Sequence, residues 1–123
     1  MTDFDAVFAA LKRTYTPYAG AAVVTHDAPR KYLLGTQEVR AKDGYRTAFG
    51  GVDITSNYVS AHLMPVYVHP ELLADNSPEL EKRMQGKSCF NFRTVQPDLF
   101  DEYSKLVAIG FERFKQDGRF NAA

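Results

Sequence analysis

Apolar residues repeat with a helical period at both ends of this chain. The N-terminal stripe consists of Phe4, Val7, Phe8 and Leu11. Intervals of three and four residues place such side chains on one face of a helix, and Thr2 or Asp3 supplies the oxygen that caps its first turn. A second helix is predicted to begin at Pro97 and to end near Gly118. Its stripe consists of Leu99, Tyr103, Leu106, Val107, Gly110 and Phe114.

Between these helices the apolar pattern becomes the alternation that is typical of strands. Runs rich in Val, Tyr, Thr and Phe are separated by the pairs Ala28-Pro29, Asp43-Gly44, Gly50-Gly51 and Ser56-Asn57, which favour turns. The predicted strands are 22–26, 32–40, 45–49, 52–55 and 58–64, the last continuing as 66–68. This spacing indicates short strands joined mostly by hairpins.

The segment from 70 to 92 mixes both periods. A helical turn is predicted over 70–73, a helix from a cap at Ser77 to about Gln85, and a strand over 88–92. Segregated helices and strands predict an α+β fold, in which a small antiparallel sheet of about five or six strands packs against the N-terminal and C-terminal helices in two layers. We expect one domain over residues 1–123.

Composition excludes several classes of protein. The chain has 123 residues and no formal net charge, so it lacks the basic excess of a dedicated nucleic-acid binder. One cysteine excludes a disulfide framework and a structural zinc site built on several thiolates, and no metal or other cofactor is expected. No apolar run approaches a membrane span, and the first residues lack the pattern of a secretory signal. These patterns predict a cytoplasmic protein that associates with no membrane, and they leave a homodimer open.

Two sequence features suggest a phosphate-binding loop and a nucleophilic cysteine, and the neighbouring residues argue against both. Gly86-Lys87-Ser88 matches the end of a phosphate-binding loop, but Glu81 stands where the motif needs a glycine, and the predicted order is helix to strand. Cys89 would be a nucleophile if a base lowered its pKa. No pairing with a histidine is visible in the sequence, so a packed thiol is the favoured interpretation and an enzyme using Cys89 is an alternative.

A cationic corner is predicted where the second half of the chain turns from helix to strand. From Arg83 to Arg93 the chain has cations and no acid, which suits either helix capping or recognition of an anion. The leading hypothesis is non-enzymatic binding of a small polar or anionic ligand, or of a protein partner. The candidate ligand-binding residues are Arg83, Lys87, His62, Tyr67 and Asn91.

Two stretches, Tyr58-Val-Ser-Ala-His-Leu-Met-Pro-Val-Tyr67 and Arg83-Met-Gln-Gly-Lys-Ser-Cys-Phe-Asn-Phe92, make the chain resemble the YdhG-like family of bacterial domains of unknown function. The resemblance runs from about Tyr45 to Phe114 and implies a small antiparallel sheet packed against terminal helices. One branch of that family is described as a frataxin-like iron chaperone that binds iron through surface carboxylates. The corresponding acids would be Asp98, Asp101 and Glu102, and iron binding is the second alternative.

Overall fold

The computed structural model describes residues 3–121, which form a six-stranded sheet with helices on one side. The strands are β1 Val23–Ala28, β2 Lys31–Val39, β3 Arg46–Ile54, β4 Val59–Leu63, β5 Met84–Gln85 and β6 Cys89–Phe92. Their order in the sheet is β1-β2-β3-β4-β6-β5, and every neighbouring pair is antiparallel. The predicted fold class is confirmed.

The helices are α1 Phe4–Lys12, α2 Met64–Val68, α3 Pro78–Glu81 and α4 Pro97–Gln116, with 3-10 turns at Thr16–Tyr18 and Pro70–Leu73. Asp3 caps α1 by accepting a 3.0 Å hydrogen bond from the amide of Ala6, while the alternative cap, Thr2, lies outside the described residues. None of the helices within residues 3–121 combines the length and the apolar character that crossing a membrane requires.

The core lies between the helices and one face of the sheet. The stripe of α1 buries Val7, Phe8 and Leu11. In α4, Phe100 and every residue of the predicted stripe are buried except Leu99, which is only half-buried. Sheet residues that alternate inward complete it: Phe49, Val52, Val59, Ala61, Leu63, Phe90 and Phe92. The described helices therefore cover one face of the sheet, and Ser60, His62, Cys89 and Asn91 lie on the other.

Three local predictions are wrong. The pair Gly50-Gly51 is not a turn, because β3 runs through it and both glycines have strand partners on each side. A side chain at Gly51 would collide with the carbonyl oxygen of Tyr32, so the close approach of strands requires glycine there. Residues 66–68 belong to α2, which begins next to Pro65, and the helix expected to reach Gln85 ends at Glu81.

Candidate functional site on the open face of the sheet

The open face of the sheet carries a group of polar side chains on β3, β4 and β6. Along β4, Val59, Ala61 and Leu63 point into the core, so the intervening Ser60 and His62 point away from it. His62 stands opposite Cys89 of β6 on one side and opposite Gly51 of β3 on the other. The register of three neighbouring strands therefore assembles the site.

His62 lies between a thiol and a carboxylate. Its Nδ1 is 3.0 Å from Cys89 Sγ, and its Nε2 is 2.8 Å from Asp53 Oδ1. Because an ionised carboxylate only accepts hydrogen bonds, the neutral ring carries its proton on Nε2 and presents Nδ1 as an acceptor to the thiol. The side chains of His62 and Asp53 are 37% and 30% exposed, and Cys89 is also half-buried, so solutes can reach the group.

The thiol of Cys89 is protonated at neutral pH. Burial raises its pKa above the ordinary value, and the negative charge of Asp53 raises it further. Any reaction of this thiol consequently needs a base to remove the proton, and the Nδ1 atom of His62 is in contact with it.

A second chain of hydrogen bonds runs beside the first. Ser60 Oγ donates to Asn91 Oδ1 at 2.6 Å, and Asn91 Nδ2 donates to Gln85 Oε1 at 2.7 Å. Both the carbonyl and the amide group of the Asn91 side chain are therefore engaged within the protein. These contacts connect β4, β6 and β5 on the open face.

A groove of about 350 Å³ extends from His62 across the open face toward β1. Its floor includes the apolar or backbone surfaces of Leu33, Gly35 and Ala48, while Lys31 and Arg46 contribute cations. Arg46 Nη1 donates to the carbonyl oxygen of Thr36 at 2.7 Å, which fixes the guanidinium beside the floor. We call this cavity the sheet-face groove; its full lining is Thr25, Lys31, Leu33, Leu34, Gly35, Arg46, Ala48, Gly50, Asp53, His62, Met64 and Ser88.

Four of the five predicted ligand-binding residues line three different cavities, and Asn91 borders none of the three. Arg83 borders a cavity of about 720 Å³ between α3 and the start of α4, and its guanidinium reaches Gln96 at 3.5 Å. Lys87 and Tyr67 border a third cavity of about 310 Å³, where the ammonium of Lys87 lies 5.8 Å from the ring centroid of Tyr67. Of these residues, His62 alone lines the sheet-face groove. Ligand binding at Arg83 and Lys87 stays a prediction.

The three acids considered for iron binding have different surroundings. Glu102 accepts hydrogen bonds from the amide and the hydroxyl of Ser77, each at 2.6 Å, and so holds the start of α3. Asp98 and Asp101 are exposed and border different cavities. Within residues 3–121, no group of three or more His, Cys, Asp and Glu side chains is placed to hold a metal ion.

The functional residue that the sequence did not single out is Asp53. It lies nine positions before His62, on a neighbouring strand, and diagonal cross-strand neighbours are within reach of long side chains. The sequence signal was that both residues occupy outward positions on the predicted strands 52–55 and 58–64. That signal does not show that the two side chains touch, because their contact depends on the register between the strands.

The chain matches no known family model, no curated protein and no solved structure. The resemblance to the YdhG-like family therefore stays a prediction.

Proposed function

We propose that this chain binds a small anionic ligand with an apolar part in the sheet-face groove. The observation that carries the proposal is the lining of that groove, where Lys31 and Arg46 stand beside an apolar floor. Small-molecule sites are commonly concave and mainly apolar, with a few polar groups that orient the ligand. The proposal keeps His62 and the anionic ligand class that the sequence predicts. It assigns binding of the anion to Lys31 and Arg46 instead of Arg83 and Lys87.

The charges around the groove favour an anion. Among the described residues, neither Lys31 nor Arg46 takes part in an ion pair, whereas Asp53 is hydrogen-bonded to His62. The two cations are thus available, and they outnumber the one carboxylate of the lining, whose oxygen accepts a hydrogen bond from His62. A carboxylate or phosphate bound by a guanidinium gains a charge-assisted hydrogen bond, which is stronger than one between neutral groups.

Isothermal titration calorimetry with benzoate and phenyl phosphate tests this proposal, with benzyl alcohol as the neutral probe. Each anion should bind, and the double variant Lys31→Gln with Arg46→Gln should weaken binding by about tenfold or more, since loss of a charged hydrogen bond costs roughly 1.5–3 kcal/mol. The matched control is Arg83→Gln with Lys87→Gln, which removes the same number of charges from other cavities.

The two double variants separate the groove from the predicted cationic corner. Loss of affinity in the Lys31 and Arg46 variant alone supports the groove. Loss in the Arg83 and Lys87 variant alone would transfer the function to that corner, and binding of benzyl alcohol as tightly as benzoate would contradict an anion site altogether.

A further inference from the structure

Cys89, His62 and Asp53 have the arrangement of a nucleophile, its base and the group that orients the base. The thiol contacts Nδ1 of the ring at 3.0 Å, and the carboxylate contacts Nε2 at 2.8 Å. Nucleophilic catalysis by a thiol needs a base within hydrogen-bond reach, held by a third group. A thiol that only packs in the fold needs neither a base nor a carboxylate that orients the base.

We propose that Cys89 is a nucleophile that accepts the acyl group of a small activated ester or thioester, with His62 as its general base and Asp53 as a positioning residue. This activity goes beyond the proposed binding of an anion. Cys89 is not part of the groove lining, so the thiol lies beside the groove, across His62 from its floor.

The acylation step can be written from the contacts. The proton of the thiol moves to His62 Nδ1, and the sulfur forms a bond to the carbonyl carbon of the ester. The bond between that carbon and the alkoxide or thiolate leaving group then breaks, and the leaving group takes the proton from Nδ1. Water hydrolyses the resulting thioester on Cys89, with His62 removing a proton from the water and returning it to the sulfur. The net reaction is hydrolysis of the ester.

Asp53 has the role of keeping Nδ1 free for the thiol. Its carboxylate accepts a hydrogen bond from Nε2–H, which fixes the ring orientation and stabilises the imidazolium that forms when the thiol is deprotonated. Because burial and Asp53 both raise the pKa of Cys89, the resting group is a thiol, and its reactivity should depend on His62.

Acetylation by p-nitrophenyl acetate, followed by release of nitrophenolate and by intact-mass spectrometry, tests the proposal. The folded chain should gain one acetyl group on Cys89 and then lose it to water, and Cys89→Ala should abolish the adduct. His62→Gln should slow acylation about 10²-fold, since general-base catalysis contributes 10²–10⁴-fold. His26→Gln, at an exposed histidine of β1, is the matched control and should leave the rate unchanged.

The pH profile separates catalysis from a structural role. Near neutral pH the wild type should be acylated much faster than His62→Gln, and the difference should shrink at high pH, where the Cys89 thiol ionises without a base. Asp53→Asn should slow acylation while a circular-dichroism spectrum like that of the wild type shows that the fold is intact.

Two kinetic results and one binding result would overturn the assignment. The first is an acylation rate in His62→Gln equal to that of the wild type. The second is a thiol that reacts as fast in the urea-unfolded chain as in the folded protein, which would show that the fold does not activate it. Calorimetric binding of benzoate without acylation would contradict the thiol chemistry and leave the anion site standing.

Discussion

The hydroxyl of Tyr15 donates a 2.6 Å hydrogen bond to the backbone carbonyl of His62. The same hydroxyl is hydrogen-bonded to that of Tyr103 on α4, and since Tyr15 donates to the carbonyl, Tyr103 is the donor in the second bond. Both tyrosines are fully buried, and burial raises the pKa of each well above its ordinary range. The helical layer thereby holds β4 from beneath, directly under the histidine of the site.

Removal of the two hydroxyls should have unequal effects. Tyr15→Phe leaves the buried hydroxyl of Tyr103 without its acceptor and should lower the free energy of unfolding by about 1–3 kcal/mol, the cost of an unsatisfied buried polar group. Tyr103→Phe leaves Tyr15 bonded to His62 and should cost about 0.5–1.5 kcal/mol. Urea denaturation measures both, with the exposed Tyr45→Phe as the control.

A larger loss of unfolding free energy in Tyr103→Phe than in Tyr15→Phe would contradict the assignment of Tyr103 as the donor to Tyr15. The double variant removes both hydroxyls, so its cost should be smaller than the sum of the single costs.

Gly35→Ala should narrow the sheet-face groove without unfolding the protein. A Cβ at this position would lie 2.7 Å from Cδ of Arg46, so the Arg46 side chain must shift, which also disturbs its hydrogen bond to Thr36. The affinity for benzoate should fall while the free energy of unfolding changes by about 1–3 kcal/mol at most, the usual range for added volume. Gly20→Ala is the control, since nothing lies within 4 Å of its Cβ. Unchanged affinity in Gly35→Ala would exclude Arg46 from the binding site.

Asn91 should stabilise the sheet and contribute nothing directly to binding. Asn91→Ala removes the acceptor of Ser60 and the donor to Gln85, so the free energy of unfolding should fall by about 1–3 kcal/mol. Calorimetry with phenyl phosphate should give the wild-type affinity. A variant with normal stability and lost affinity would instead make Asn91 a ligand-binding residue, as the sequence pattern predicts.

Acid should weaken the contact that joins the end of α4 to the turn after α2. A hydrogen bond with His69 at 2.7 Å is the main cause that lowers the pKa of Asp117, and Arg119 lowers it further. A carboxyl whose folded-state pKa lies below its unfolded value stabilises the protein above the ordinary Asp pKa of about 3.9, and this stabilisation is lost as the pH falls through the folded value.

Melting temperatures of the wild type and of Asp117→Asn between pH 5 and pH 2 check this sign. The wild type should melt higher at pH 5, and the difference should shrink as the pH falls. A difference that stays constant over this range would show that the charge of Asp117 does not stabilise the fold.

The two long helices could be predicted from the sequence because each buries a single stripe. Phe8 and Leu11 in α1, and Tyr103 and Phe114 in α4, occupy the buried positions that the period assigns to them. Strand alternation also predicted correctly that Phe90 and Phe92 share one face and Cys89 and Asn91 the other. The local period of apolar residues is sufficient to predict such helices and strands, because each of them buries only one face.

The site could not be predicted because it depends on contacts between strands that are distant in the chain. His62 and Cys89 are 27 positions apart, and their contact requires β6 to pair with β4 in one register. Gly50 and Gly51 illustrate the same limit. They resemble a turn in sequence, and only the close approach of the neighbouring strands shows why glycine occupies the middle of β3.

The most direct test of the anion site is a ¹H–¹⁵N correlation spectrum of the chain titrated with phenyl phosphate. The groove predicts that the shifting amides concentrate in residues 31–35, 46–53 and 62–64. Shifts concentrated in residues 77–83 and 96–99, which border the cavity at Arg83, would contradict the account, and so would a spectrum that does not change.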